Sequence, residues 1–126
     1  MNAYQLKELG MFLSLNSGEF HHGDCVGVDV QAARLAAHFG YTVVSHPPKE
    51  DILRAFHKST IILPPLGYLE RDKRIVDAVD LLLVVPKENQ WQPRGGTWYT
   101  HDYAKKRGVP RIVIFPDPVK AVYDEV

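Results

Sequence analysis

Apolar positions along the chain recur with a period that changes from segment to segment. Spacings of three and four residues predict helices over 4–15, 30–39, 68–79 and 97–107. Short stretches between them predict strands at 19–22, 41–46, 60–63, 81–86 and 111–116. The run LLLVVP at 81–86 has no alternation, as expected for a strand covered on both faces. Strands that alternate with helices predict an α/β fold with a doubly wound parallel sheet of four or five strands and flanking helices.

Residues that start and stop helices support these boundaries. Asp29 is a plausible N-cap for the second helix, and Gly40 follows its end. In the third helix the apolar positions predict an inward face made by Leu69, Ile75, Val76 and Val79. The segment 51–67 is less regular: ILRAFH is compatible with a helical turn, and TIILPP is either a short strand or an extended crossing that Pro64 and Pro65 end.

Composition narrows the class of protein. A chain of 126 residues is long enough for one domain with its own core, which we take as residues 1–126. Fifteen Lys and Arg balance fifteen Asp and Glu, so no basic field favours nucleic acid or an anionic membrane. The longest apolar run is too short for a bilayer, and the first ten residues lack the pattern of a signal peptide. A single cysteine is compatible with a reducing cytoplasm, where we expect the protein to act.

Two glycine turns carry the strongest functional signal. Gly23 and Gly27 follow one predicted strand and precede a helix, and Gly95 and Gly96 do the same later in the chain. In parallel sheets, ligands bind where strands turn into helices, because the first turn of a helix offers unpaired N–H groups to an anion. Arg94 stands beside the second turn and can hold phosphate bidentately. The turns predict a phosphate-bearing ligand, although glycines that only make tight turns would give the same pattern.

Three ordered segments resemble a known family. They read HHGDCVGVDVQAARLAAHFGYTVVSHPP, then YLERDKRIVDAVDLLLVVP, then RGGTWYTHDYAKKRGVPRIVIFP. Together they are similar to the SLOG superfamily of Rossmann-like nucleotide-ligand proteins, which includes the DNA-processing protein A fold and the "lonely guy" phosphoribohydrolases. The likeness is greatest to small, stand-alone bacterial and phage members, and it covers roughly residues 4–116. It implies a Rossmann-like sheet and a nucleotide-derived ligand.

The resemblance also implies roles for individual residues. In the phosphoribohydrolase branch two glycine loops hold the phosphate of a nucleoside monophosphate, and an arginine on the intervening helix serves catalysis. The positions that match the first loop are Gly23, Asp24, Gly27 and Asp29. Gly95, Gly96 and Thr97 match a shortened second loop, and Arg71 stands where the helix arginine would be.

One catalytic group of that branch does not carry over. The family's glutamate lies three residues beyond the loop threonine, where this chain has Thr100. Glycosidic hydrolysis needs a carboxylate to stabilise an oxocarbenium ion or to activate water. Asp24, Asp29, Glu70 or Asp102 could supply it, with Glu70 beside Arg71 as the working choice. Binding of a nucleotide or related phosphorylated ligand is therefore the leading hypothesis. An N-glycosidase is the first alternative, and a non-catalytic structural or interaction protein is the second.

A second departure from the family concerns the start of the fold. Its members open with a strand and a ligand-contacting turn before the first helix, whereas this chain opens almost directly with that helix. Three explanations stay open: the strands at 19–22 and 81–86 pair directly, another chain fills the gap, or the start codon is assigned wrongly. We predict the direct pairing. Without the usual first strand, part of the apolar surface of the first helix would be uncovered. We therefore also predict a homodimer that uses the first helix or the helix at 68–79.

The remaining candidates have structural alternatives of similar weight. His46 ends a strand at the ligand edge, and Tyr68 and Trp98 stand where an aromatic ring can stack on a base. Trp98 could equally pack in the core beneath its loop. His21 and His22 do not predict a metal site, because neighbours on a strand point to opposite faces. Cys25 lacks an evident base partner, so it reads as a small loop residue, and no cofactor is predicted.

Overall fold

A computed structural model describes all 126 residues as four helices and five short strands in alternation. The helices are α1 (Ala3–Leu15), α2 (Val28–His38), α3 (Tyr68–Ala78) and α4 (Gly96–Arg107). The strands are β1 (Glu19–His22), β2 (Thr42–Ser45), β3 (Ile61–Ile62), β4 (Leu82–Val84) and β5 (Arg111–Val113). The predicted α/β class and element order are confirmed. The helical turn expected at ILRAFH is not formed, since that segment is irregular apart from a short turn at its start.

The strands form two small parallel sheets instead of one. The first has the order β1-β2-β3, with Phe20 opposite Val43 and Val44 opposite Ile61. The second contains β4 and β5, with Leu83 opposite Ile112. The prediction that strand 19–22 lies beside strand 81–86 is therefore wrong, because no ladder joins β1 to β4. A single sheet of four or five strands is not formed.

Helix α1 packs across both sheets and shows that they run in the same direction. Near its start, the buried Gln5 side chain donates to the carbonyl oxygens of Pro86 and Ile114, just beyond the carboxyl ends of β4 and β5. At its other end, the Leu13 carbonyl accepts from the Tyr41 hydroxyl, beside the amino end of β2. Because α1 is antiparallel to both sheets, the carboxyl ends of all the strands lie on one side of the molecule.

The core has two parts, of which the larger also takes in Ile114, just beyond β5 of the second sheet. The larger part lies between α1, α2 and β2 and contains Leu9, Leu13, Ala33, Ala36 and Val43. The smaller part lies between α3, α4 and the second sheet and contains Val76, Leu82, Val84 and Ala104.

Two predictions about the helices, the inward position of Leu69 and the cap of α2, need correction. Leu69 was expected to face inward, but it is 56% exposed in the first turn of α3, while Ile75 and Val76 are buried as predicted. Asp29 was expected to cap α2, but the cap is Gly27 with φ at 91°, a value that glycine adopts without strain. Gly40 follows the end of α2 with φ at 82°, as predicted.

None of the four helices is both long enough and apolar enough to cross a lipid bilayer.

Candidate functional site

Three helices begin at the carboxyl side of the sheets without a side-chain cap. The N-caps of α2, α3 and α4 are Gly27, Gly67 and Gly95, and none of these helices has a side-chain hydrogen bond to its first turn. Helix α1, by contrast, begins with a full capping box between Asn2 and Gln5. The uncapped first turns leave backbone N–H groups free and carry the positive ends of three helix dipoles.

The second glycine loop forms an open groove at the start of α4. Arg94, Gly95, Gly96 and the exposed side of Asp102 line it, together with Leu69 from α3. Arg94 is exposed and forms none of the ion pairs of the chain. The first intrahelical bond, from Tyr99 N–H to the Gly95 carbonyl, leaves the amides of Gly96 and Thr97 without an acceptor. This groove therefore offers a free cation and free N–H donors within one loop.

The first glycine loop is organised by the buried guanidinium of Arg71. Nη1 donates to the Gly23 carbonyl and, at 3.3 Å, to the His46 carbonyl, while Nε donates to Asp72 at 2.8 Å. A Cβ at position 23 would lie 2.6 Å from Nη1 and 2.8 Å from the Asp29 carboxylate. A side chain at position 23 would therefore have to displace Arg71 or Asp29 from its contacts. Arg71 is only 6% exposed, so it positions the loop and presents little of itself to a ligand.

Two carboxylates and a thiol surround Arg71 at the start of α2 and α3. Burial raises the pKa of Asp29 and of Asp72, and the nearby Arg71 cation partly opposes both shifts. The Cys25 thiol lies 3.8 Å from Arg71 Nη1, and burial together with the Asp29 charge raises its pKa. A raised pKa makes this thiol a poor nucleophile, in agreement with its reading as a small loop residue.

Asp24 is not available to a ligand. Its carboxylate is 1% exposed and accepts from Arg54 Nε at 3.0 Å and from the His57 N–H at 2.9 Å. Its backbone lies in the left-handed region with φ at 54°, and its carbonyl accepts from Ala55 at 2.8 Å. Asp24 therefore fastens the irregular segment 51–57 to the first glycine loop, and its predicted binding role is not supported.

Both ring nitrogens of His46 are also occupied by contacts within the protein. It is fully buried, and its Nδ1 accepts from Arg74 Nε at 2.9 Å. Its Nε2 must then carry the hydrogen and donate to His21 Nδ1 at 2.7 Å, which leaves His21 Nε2–H to donate to Glu19 at 3.0 Å. This chain of bonds requires neutral His46, and burial together with His21 and Arg74 lowers its pKa to about 3.

The other predicted residues, Tyr68, Trp98 and Glu70, differ in whether a ligand could reach them. Tyr68 is half-buried at the start of α3, with the Arg71 guanidinium 5.6 Å from its ring centre. Trp98 is buried, with its indole N–H 3.0 Å from Glu88 and its ring packed near Phe115, so it cannot stack on a base. Glu70 is exposed and forms no hydrogen bond or ion pair, which gives no support to its catalytic assignment.

Sequence reasoning missed the residues that hold the site in place. Asp72 pairs with Arg71, Arg74 fixes His46, and Arg54 neutralises Asp24. The spacing of Arg71 and Arg74 was a usable signal, because residues three apart share a helix face and the buried Ile75 follows Arg71 by four residues. Arg54 lies in an irregular segment, where spacing predicts no neighbour.

Comparison of the chain with protein-family models, with curated proteins and with solved structures finds no match. The resemblance to the SLOG superfamily therefore stays a prediction. The functional assignment depends on the geometry around Arg71 and Arg94.

Replacement of Gly23 by alanine should destabilise the protein by about 1–3 kcal/mol, because the new Cβ displaces Arg71 or Asp29. The matched control is Gly96→Ala, where a Cβ meets no atom within 4 Å and the change should be within about 1 kcal/mol of neutral. Urea unfolding at neutral pH measures both. Equal stability of the two variants would show that Arg71 is not packed against the loop as described.

Stability should fall as the pH falls below neutrality. In the unfolded chain His22 and His46 bind a proton near pH 6.5, whereas in the folded protein their pKa values are lowered to about 4 and about 3, chiefly by burial. Between these pH values the unfolded chain binds more protons than the folded protein. The contribution of the two histidines to the free energy of unfolding is therefore complete above about pH 6.5 and is lost as the pH decreases. Between about pH 7.5 and about pH 4.5 each histidine should account for a loss of about 2–3 kcal/mol, and the raised pKa values of Asp29 and Asp72 should offset part of the total that urea unfolding measures.

A pair of histidine variants isolates the part of this pH dependence that comes from His46. His46→Gln should show a smaller loss of stability between the two pH values, whereas His38→Gln, at an exposed position of α2, should behave like the unsubstituted protein. The assignment is wrong if both variants keep the full pH dependence.

Proposed function

We propose that the protein binds a nucleotide or nucleotide-derived phosphorylated ligand at the carboxyl edge of its strands. The observation that carries this proposal is the set of three uncapped, glycine-started helices on one side of the molecule, beside the unpaired Arg94. Amides at helix N-termini and a free guanidinium are the groups that proteins use to hold phosphate.

The phosphate belongs at the start of α4. The Gly96 and Thr97 amides and the Arg94 side chain supply directed donors and a positive charge there. The first loop is a poorer place for it, because the carboxylates of Asp29 and Asp72 lie against Arg71. An anion near those carboxylates meets like charge, whereas their oxygens can accept hydrogen bonds from hydroxyl or amino groups.

The sugar or base then extends from α4 across the start of α3 toward the first loop. Leu69 lines the phosphate groove, and the half-buried Tyr68 precedes it. Tyr68 offers a ring face held against the Arg71 cation, and the amides of Tyr68 and Leu69 are free donors. This arrangement suits a ligand with a phosphate at one end and a polar ring at the other.

Replacement of Arg94 tests the phosphate position. In thermal-shift titrations with nucleoside monophosphates, Arg94→Gln should weaken binding about tenfold, since it removes a charge-assisted pair while the exposed side chain contributes little to the fold. Arg34→Gln, an exposed arginine on α2, is the matched control and should bind normally. Unchanged affinity in Arg94→Gln, or no binding of any nucleotide at about 1 mM, would contradict the proposal.

The glycosidase alternative gains one specific support, which is Asp29. Its carboxyl accepts from the Cys25 N–H at 3.2 Å, and its raised pKa is what a general acid requires. The other candidate carboxylates have less support: Asp24 and Asp102 accept hydrogen bonds from other groups of the protein, and Glu70 is exposed without a partner.

Chromatography for free base after incubation with nucleoside monophosphates decides between binding and hydrolysis. Hydrolysis predicts base release that is lost in Asp29→Asn while nucleotide binding is kept. Binding alone predicts no release above the uncatalysed rate.

A further inference from the structure

A groove of about 440 Å³ separates the two sheets near the amino ends of β1 and β4, on the side away from the two glycine loops. Its two long walls are β1 with the turn before it, residues 17–21, and β4 with the turn before it, residues 79–83. The two strands run in the same direction, as the contacts of α1 show. Neither strand has a neighbour on the side that faces the groove.

Backbone groups on both walls lack hydrogen-bond partners. Gly18 and His22 use their carbonyls toward β2, so the alternation of a strand turns the N–H and C=O groups of Glu19 and His21 toward the groove. Leu82 and Val84 bond to the β5 side, so the same alternation turns Leu81 and Leu83 toward it. These two rows are donors and acceptors of the kind that pair with the two edges of an extended strand.

Helices close the groove above and below. Phe12 and Leu13 of α1 lie on one side, and Ile75 and Val79 at the end of α3 lie on the other. A strand in this position would have apolar neighbours on both faces. It would therefore need apolar side chains at successive positions, like other strands buried in parallel sheets.

The charge of the groove indicates which type of residue a bound strand would have at its amino end. Glu19 and Asp80 stand at the amino ends of the two walls, and no lysine or arginine lines the groove. Asp80 has no hydrogen-bond or ion-pair partner, and Glu19 contacts only His21. A strand parallel to β1 and β4 would place its first residue beside these carboxylates, where a basic side chain complements them.

We propose that this groove binds an extended peptide with a basic first residue followed by four or five β-branched apolar residues. The peptide lies parallel to β1 and β4 and joins the two sheets into one of six strands. Its affinity comes from main-chain hydrogen bonds to Glu19, His21, Leu81 and Leu83, and its specificity comes from the apolar walls and the acidic end. This proposal is independent of nucleotide binding, which uses other residues.

Backbone hydrogen exchange on the full chain tests the proposal, with a synthetic peptide of one lysine and four valine or isoleucine residues. Exchange at Glu19, His21, Leu81 and Leu83 should slow by about tenfold or more at saturation, because these amides gain acceptors. Amides already in ladders, such as Phe20 and Leu82, should change much less. The same peptide with proline at its centre is the control and should give no protection, since proline removes a donor and disrupts the strand.

A charge exchange tests orientation. Asp80→Lys, at an exposed position, should weaken binding of the lysine peptide and strengthen binding of a peptide with glutamate first. Because α1 begins near the carboxyl ends of the strands, a second format joins the peptide to Met1 through a short Gly/Ser linker. The joined strand should raise the thermal midpoint by several degrees, and its proline version should not.

Three results would overturn the proposal. The first is no protection of the four groove amides by either the free or the joined peptide. The second is equal protection by the proline control, or no response to the charge exchange. The third is protection of these amides in the peptide-free protein, through direct pairing of β1 with β4 or through a second copy of the 14.3 kDa chain, which light scattering detects.

Discussion

The buried guanidinium of Arg71 is the contact on which the candidate site depends. It joins the turn after β1, the end of β2 and the first turns of α3 through the Gly23 carbonyl, the His46 carbonyl and Asp72. A charge in this position requires compensation, and the surrounding acceptors and carboxylates provide it. Burial works to lower the pKa of Arg71, but the attraction of Asp72 and the hydrogen bond to it contribute to a net rise. The arrangement of the first loop therefore follows from the need to satisfy one buried cation.

The helix starts show how the chain divides structural and binding roles. Helix α1 begins with Asn2 and Gln5, whose side chains satisfy its first turn, and Gln5 also ties α1 to the second sheet. Glycine begins the other three helices, and their first turns keep unpaired donors. A polar cap stabilises a helix by about 1 kcal/mol, and three of the four helices lack this contribution. A bound ligand could supply the missing acceptors at those helix starts.

Local patterns predicted what local physics controls. The order of elements, the end of α2 at Gly40 and the position of the glycine turns could be read from spacing and turn residues. Strand pairing could not, because the separation of β1 from β4 depends on how α1 and α3 pack across the two sheets. The hydrogen-bond partners of Asp24, His46 and Trp98 could not be predicted for a related reason. Their partners Arg54, Arg74 and Glu88 lie 30, 28 and 10 residues away, and spacing along the chain does not reveal such contacts.

The absence of a ladder between the two sheets has a mechanical consequence. Hydrogen-bonded ladders resist sliding and rotation, whereas packed helices permit small shear movements between the bodies they join. The first glycine loop belongs to the sheet of β1, and the second belongs to the sheet of β4, so the span between them is set by helix packing and not by strand pairing. A ligand that reaches both loops would act as a cross-link between two bodies, and the stiffness of the whole protein would then depend on whether that cross-link is present.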